Sequence, residues 1–358
     1  MADFHNLKIS DVTRETAECV SFAFEIPENL SGTYKFIQGQ YITLKLHING
    51  EELRRCYSVC TSPSENELRV AAKRVTGGRA STWLNEKLKI GDEIEVMPPM
   101  GNFYTPINAS NKKTYVLFAG GSGVTPILSI LKTVLEQEPN SNVVLFYGNL
   151  NESAIIFRSQ IDSLINKYND RLNVYHILDQ PEGECDSDLQ GVLSSEKTIE
   201  LVEKYVDTTG DNEYFLCGPP GMKDGVLNAL NVLPVEQEKV HVEVFTVDTS
   251  SDDNDTAEKD TSTGGVACAA RIIMDGDEYD IEVPEGEVVL QAAMDADLDP
   301  PYSCRGGMCM TCRAKLEEGE VEMEMNYALT DKEVAKGYIL TCQAKPKTPT
   351  ITVNYDAY

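Results

Sequence analysis

Short apolar runs, broken every few positions by polar turn residues, fill the first hundred positions, and longer unbroken apolar runs follow. "YITLKLHI" (41–48), "ELRVAAKRV" (67–75) and "DEIEVMP" (92–98) are rich in β-branched and aromatic residues. The "NG", "SPSEN" and "GD" stretches beside them are turn signals. Strands of that length and spacing predict a small antiparallel β-barrel. From Lys113 the pattern changes. "TYVLFAGGSGVTPILSILKTVLEQ" reads as an apolar strand, a glycine turn and a helix. "NVVLFYGN", "LNVYHIL" and "EYFLCGPPGMKDGVLNAL" add three more apolar strands, the last running into a helix. Fully apolar strands alternating with helices predict a parallel sheet covered on both faces.

Residues 246–263, "TVDTSSDDNDTAEKDTST", carry six acidic residues, one lysine and almost nothing apolar. Such a stretch cannot bury enough surface to order itself and predicts an extended acidic linker. After it, "GGVACAARIIMDGDEYDIEVPEGEVVLQAAMDADLDPPYSCRGG" reads as a strand pair, a short helix and a cysteine-bearing loop. The expected organisation is therefore a barrel over 1–108, an α/β unit over 109–245, the linker at 246–263 and a third domain over 264–358.

Composition narrows the function classes. With 41% hydrophobic and 25% charged residues in 358, the chain has the make-up of a globular, multidomain protein. A net charge of −27 argues against nucleic acid and anionic membranes as partners, because phosphates would be repelled. The start, "MADFHNLKIS", lacks the basic and apolar regions of a signal peptide, and no apolar run approaches the ~20 residues needed to cross a bilayer. A cytoplasmic, reducing setting is the expectation, and there the ten cysteines read as thiols or metal ligands.

Four of those cysteines are decisive. Cys304, Cys309, Cys312 and Cys342 are spaced C-x4-C-x2-C-x29-C. Zinc sites usually draw on two short-spaced pairs, and a secreted disulfide scaffold fits neither the compartment nor the length. The spacing is that of a plant-type [2Fe–2S] centre. Gly306 and Gly307 let the backbone wrap such a centre and offer N–H groups to its sulfurs. Cys56, Cys60, Cys185 and Cys217 fall outside the spacing, and Cys19 and Cys268 read as small apolar core residues.

Three glycine-bearing stretches point to nucleotides. In "KRVTGGRASTWL" (73–84), Gly77 and Gly78 allow a tight turn, and Ser81 and Thr82 stand where a helix is expected to begin, a setting suited to pyrophosphate. Just upstream, "RRCYSVC" (54–60) puts Arg55, Tyr57 and Ser58 on a strand. "AGGSGVTP" (119–126), with Gly121, Gly123 and Thr125, joins strand to helix, and "CGPPGM" (217–222), with Cys217, Gly218 and Pro219, repeats the device in the same sheet. Ligands of open α/β sheets sit at such carboxyl ends. The four histidines, His5, His47, His176 and His241, have no metal-ligand spacing and read as structural.

Together these motifs resemble the ferredoxin–NADP reductase superfamily in its fused form, with a C-terminal plant-type ferredoxin domain of α+β (β-grasp) fold. The resemblance implies that Arg55 binds the pyrophosphate of FAD, that Tyr57 packs on the isoalloxazine with Ser58 near N5, and that Gly78, Ala80 and Ser81 form the second phosphate loop. It sets Thr125 and Cys217 near the nicotinamide of NADPH or NADH, and Glu243 and Phe245 beside the flavin. Glu243 would help orient the nicotinamide or remain a surface carboxylate. Where relatives often carry a basic residue for the 2′-phosphate of NADPH, this chain has Leu150. Arg158 is a substitute, and NADPH is favoured slightly over NADH. The segment "NYALTDKEVAKGYILTCQ" further resembles the reductase subunits of bacterial phenylacetyl-CoA epoxidase complexes. That implies a di-iron oxygenase component as electron acceptor. The alternatives are an aromatic hydroxylase, a desaturase or a hybrid-cluster protein as acceptor, or a non-catalytic docking protein. The acidity of the ferredoxin part would suit a basic patch on a partner, or it follows the acidity of the whole chain.

Overall fold

The computed structural model describes residues 4–245 and 267–357. The acidic stretch 246–263 lies outside the described residues.

Six strands, β1 (His5–Thr16), β2 (Cys19–Glu25), β3 (Tyr41–Ile48), β4 (Glu51–Ser58), β5 (Leu68–Lys73) and β6 (Glu93–Met100), pair antiparallel in the order β4-β3-β6-β1-β2-β5. A bridge from Val59 to Val70 joins the two ends of that order and closes the expected barrel. Its interior holds Leu7, Phe22, Ile42, Leu44, Val70 and Val96, all fully buried. Helix α1 (Arg79–Glu86) packs Ala80 and Leu84 into this core. It begins at Arg79 with Gly78 as its N-cap, earlier than the hydroxyl pair Ser81 and Thr82 suggests. The Ser81 hydroxyl is spent inside the loop, accepting from the Val75 N–H at 3.1 Å.

The second unit is a five-stranded sheet, parallel throughout. It contains β7 (Thr114–Gly120), β8 (Asn142–Asn149), β9 (Leu172–Leu178), β10 (Asn212–Gly218) and β11 (Val240–Val244), ordered β11-β10-β7-β8-β9. Helices α2 (Val124–Gln137) and α3 (Arg158–Lys167) contribute to one apolar cluster, and α4 (Ser195–Tyr205) and α5 (Pro220–Val232) to another. Residues of β7, β8 and β10 feed both clusters, which is why their sequences are so continuously apolar. Helix α2 also ties the sheet to the barrel. Its Ser129 hydroxyl donates to the Thr61 carbonyl at 2.6 Å, and its buried Lys132 bonds Glu65 at 3.0 Å.

In the third unit, β12 (Cys268–Met274) and β13 (Asp277–Val283) form a hairpin about Asp275 and Gly276, both at positive φ. Then come α6 (Val289–Asp295), β14 (Arg313–Glu318), β15 (Val321–Met323), α7 (Asp331–Ala335), β16 (Tyr338–Leu340), β17 (Ala344–Pro346) and β18 (Thr350–Asn354). The main sheet runs β13-β12-β18-β14-β16, with β12 and β18 parallel at its centre and the other pairs antiparallel, a β-grasp arrangement. Cys19 and Cys268 are core residues as expected, and among the described residues no helix is long and apolar enough to cross a membrane.

Candidate functional site

The end of β4, the turn before α1, the start of α2, the end of β11 and the cysteine loop converge on one cavity of about 380 Å³. Arg55, Tyr57 and Ser58 line it from the barrel, and Gly78, Ala80 and Ser81 from the α1 turn. Thr125 lines it from α2, and Glu243 and Phe245 from the end of β11. Cys304, Met308 and Cys309 form the remaining side. Residues far apart in sequence thus surround a volume in the range of small-molecule sites.

One atom tests whether this space suits a polar cofactor. Ser58 lines the cavity, and its Oγ is buried with no hydrogen-bond partner among the described residues. An unmet buried hydroxyl costs about 1–3 kcal/mol. A ligand heteroatom beside Ser58 would remove that cost, so the residues fit a flavin ring. Arg55 donates Nη1 to the Arg54 carbonyl at 2.9 Å and lines the same cavity as the Gly78 turn.

Glu243 stands opposite Cys217 in the β10–β11 ladder. Burial pushes its carboxyl up to about 8, so it is largely protonated at neutral pH. Cys217 is fully buried, and desolvation, then the nearby Glu243, pushes its thiol well above the ordinary range. It is therefore a packed thiol with little thiolate character, and its side chain joins the core beneath α2.

The glycines of the two nicotinamide loops have a packing reason as well as a ligand one. A Cβ on Gly123 would stand 2.2 Å from the Cys217 carbonyl oxygen. The "GGSG" and "CGPP" turns touch backbone to backbone, which brings the α2 N-terminus and the β10 end together at the sheet's carboxyl edge. Gly218 and Pro219 belong to this junction, where they meet Gly120, while a Cβ on Gly121 would stand 3.3 Å from Lys73 Nζ; Gly121, Gly218 and Pro219 do not line the cavity. Arg158 opens α3 on the surface, with its guanidinium 3.5 Å from the Glu152 carbonyl, and Leu150 is half exposed.

Around the cysteines the donor set is all sulfur. Cys309, Cys312 and Cys342 are buried and Cys304 is partly exposed. Among the described residues no three His, Cys, Asp or Glu gather closely enough to hold a single ion. The thiols instead make contact in two pairs, Cys304 with Cys309 and Cys312 with Cys342. Two pairs of thiols suit two irons, each taking one pair, better than one tetrahedral zinc. The Gly306 N–H lies 3.4 Å from Cys304 Sγ, and the Gly307 N–H hydrogen-bonds Cys342, the sulfur contacts expected of these glycines. Gly307 has φ +70°, and a Cβ there would stand 2.7 Å from the Met325 carbonyl oxygen.

Sequence reasoning missed Tyr41 and Lys73, which also line the cavity. Tyr41 gives no signal because it reads as one more apolar strand residue. Lys73 closes the run "LRVAAK", and a cation at a strand end facing a glycine turn was a signal available in the sequence. Three of the histidines make ordinary structural bonds: His5 to Tyr34, His47 to Glu95, and His241 to Glu213.

Comparison with known proteins agrees with this architecture. Family models for an oxidoreductase FAD-binding domain, an oxidoreductase NAD-binding domain and a 2Fe-2S iron-sulfur cluster binding domain match residues 6–113, 117–228 and 272–347. The chain is 36% identical to one of the subunits of the 1,2-phenylacetyl-CoA epoxidase of Escherichia coli K12, over all of this chain and 99% of that protein. It is 33% identical to the ferredoxin reductase component of 3-ketosteroid-9-alpha-monooxygenase of Rhodococcus rhodochrous, over 98% and 96% of the two chains. In fold it is similar to phthalate dioxygenase reductase, with TM-score 0.60, 24% identity and 98% of both chains covered. This chain belongs to the family of that 1,2-phenylacetyl-CoA epoxidase component, flavin- and nicotinamide-dependent oxidoreductases with FAD-binding, NAD-binding and 2Fe-2S domains in that order.

Proposed function

We propose that this chain is the reductase component of a multicomponent oxygenase, carrying electrons from NAD(P)H through FAD and a [2Fe–2S] centre to an oxygenase that epoxidises phenylacetyl-CoA. The observation that carries the reading is the shared cavity: the flavin-motif residues, Thr125 and two cluster cysteines line one space. The full-length likeness to an epoxidase component favours that acceptor over a steroid or phthalate oxygenase. Mixing the reduced protein with the oxygenase component and phenylacetyl-CoA tests it. Product should form only with all parts present, and equal or better electron supply to an unrelated hydroxylase would refute the acceptor. The setting we propose is the cytoplasm, where the cysteines stay reduced for iron.

When bound, flavin accepts a hydride as an electron pair and releases the electrons singly, and the cluster carries one at a time. The chain's own residues position and tune. In this reading Arg55 holds the pyrophosphate with Gly78, Ala80 and Ser81, while Tyr57 covers the ring and Ser58 meets a ring heteroatom. Gly121, Gly123, Gly218 and Pro219 hold the two loops against the dinucleotide, and Thr125 orients the nicotinamide. Cys217 is a packing residue behind it. Phe245 closes the far side. Cys304, Cys309, Cys312 and Cys342 ligate the irons. The functional units are 1–108, 109–245 and 264–358, and NADPH is the favoured donor.

Glu243 gives this reading a pH signature. Below about 8 its neutral carboxyl can donate to the nicotinamide carboxamide, and above it the carboxylate cannot. The rate of flavin reduction by NAD(P)H should therefore fall as pH rises through that value. Glu243→Gln keeps an N–H donor at every pH and should flatten the profile. An unchanged inflexion in the variant, read by stopped-flow, would assign the titration to another group.

A further inference from the structure

The barrel strand that carries the flavin motif has a second use. Along β4, Arg54 and Cys56 alternate with the flavin-motif residues Arg55 and Tyr57, and Cys56 lines the cavity with them. Arg54 is buried. Its Nε donates to Glu52 at 2.7 Å, and its Nη2 donates across the domain boundary to Asp299 Oδ1 at 3.0 Å. Its guanidinium also lies 4.2 Å from the centre of the Tyr302 ring, and Arg305 lies 4.7 Å from that ring. Tyr302 and Arg305 closely flank the ligand Cys304. Nearby, the Met310 N–H donates to Tyr41 Oη at 2.9 Å, and Cys56 Sγ donates to Ser303 Oγ at 3.0 Å. The contacts that Arg54, Tyr41 and Cys56 make across the boundary fall on the cysteine loop and the turn leading into it.

We propose that Arg54, Asp299 and Tyr302 form a reversible latch that seats the cluster loop on the flavin cavity, making them positioning residues for flavin-to-cluster electron transfer. The inference rests on the function proposed above. Two features make the latch strong enough to orient and weak enough to release. The Arg54 end is buried, so its charge is drawn to its partners with little competition from water. The Asp299 side chain is 51% exposed, so water and salt contest that end. Arg54 Nη1 has no hydrogen-bond partner among the described residues, which leaves the docked state short of full satisfaction. Among the described residues, the ion pairs of Arg54 and Asp299 involve neither the Gly78 turn nor the nicotinamide loops. The latch governs the distance from flavin to cluster, on which electron tunnelling depends steeply, and leaves the hydride step alone.

The test uses the holoprotein and three variants: Asp299→Lys, Arg54→Glu and the double charge swap. Asp299 is far from the flavin motif in sequence and half exposed, so Asp299→Lys keeps the test informative if Arg54→Glu folds poorly. After mixing with NAD(P)H, flavin bleaching should keep its rate in Asp299→Lys, while cluster reduction slows by roughly tenfold, less than a fully buried like-charge clash would give because the Asp299 end is half exposed. The double variant should recover to within about threefold of the parent, since opposite charges again face each other. Raising salt should slow cluster reduction in the parent and change Asp299→Lys little. Small-angle scattering gives a readout independent of turnover. The single variants should have a larger radius of gyration than the parent, and the double variant should return to the parent's. Parent-like cluster reduction and dimensions in Asp299→Lys, or a double variant no better than the worse single one, would overturn the latch. If the parent itself never reduces its cluster with NAD(P)H, the proposed function fails, and the scattering comparison alone decides the latch.

Discussion

Replacing Cys309 with alanine should stop electron delivery to the oxygenase while hydride transfer into the flavin continues. Cys309 is the cysteine best placed to separate the two halves of the reaction. It is buried, pairs with Cys304, and lines the same cavity as Tyr57 and Ser58. Losing one of four thiolates leaves an iron short of a ligand, so iron and acid-labile sulfide should fall and oxygenase-coupled turnover should drop by more than about a hundredfold. The neighbouring Met310 N–H to Tyr41 bond does not involve the thiol and should survive, keeping the fold of the loop. Reduction of ferricyanide, which can draw electrons from the flavin directly, should remain near the parent's rate. Equal collapse of both activities would mean that flavin and cluster do not work as separable stations. Cys309→Ser is the companion variant. A retained but spectrally shifted cluster there would show that the effect comes from ligation, with packing unchanged.

Arg55→Ala should empty the flavin site. Arg55 lines the cavity together with the Gly78 turn, and its bond to the Arg54 carbonyl is local to β4. A charge-assisted contact to phosphate is worth about 1.5–3 kcal/mol, so flavin should bind roughly ten to a hundred and fifty times more weakly. The measurement is flavin content after extensive dialysis, followed by recovery of NAD(P)H oxidation when FAD is added back. The cluster spectrum should be unchanged, because the four cysteines of the cluster spacing all lie in the third unit, outside β4. Full flavin retention in the variant would place the pyrophosphate elsewhere.

Much of the fold is legible in the sequence because local pattern and burial agree. "YITLKLHI" is β3 residue for residue, and "TYVLFAG" and "NVVLFYGN" are β7 and the whole of β8, apolar because both faces are covered. The cluster ligands are legible for another reason: metal coordination fixes spacing in sequence more tightly than any packing requirement does. The start of α1 is harder to place, because two hydroxyl residues, Ser81 and Thr82, suggest a cap. Gly78 takes that position, and Ser81 bonds inward to Val75. The glycines of "GGSG" and "CGPP" read as phosphate contacts, and their demand on loop-to-loop contact emerges only with both turns in place. Contacts across domains leave no trace in sequence. Arg54 reads as a neighbour of Arg55, Tyr41 as another core aromatic, and Lys132 as a helix cation. Their partners Asp299, Met310 and Glu65 come from distant segments, and only tertiary structure supplies them.

An anaerobic titration of the purified protein with a graded reductant, followed by visible absorption and by low-temperature EPR, tests the central claim most directly. The account predicts uptake of about three electrons per chain, two bleaching a flavin and one producing the axial or rhombic signal of a reduced [2Fe–2S] centre, with about two irons bound. NAD(P)H should reduce both centres in the same protein. Uptake of two electrons with no iron signal, or zinc found on the four cysteines, would contradict it.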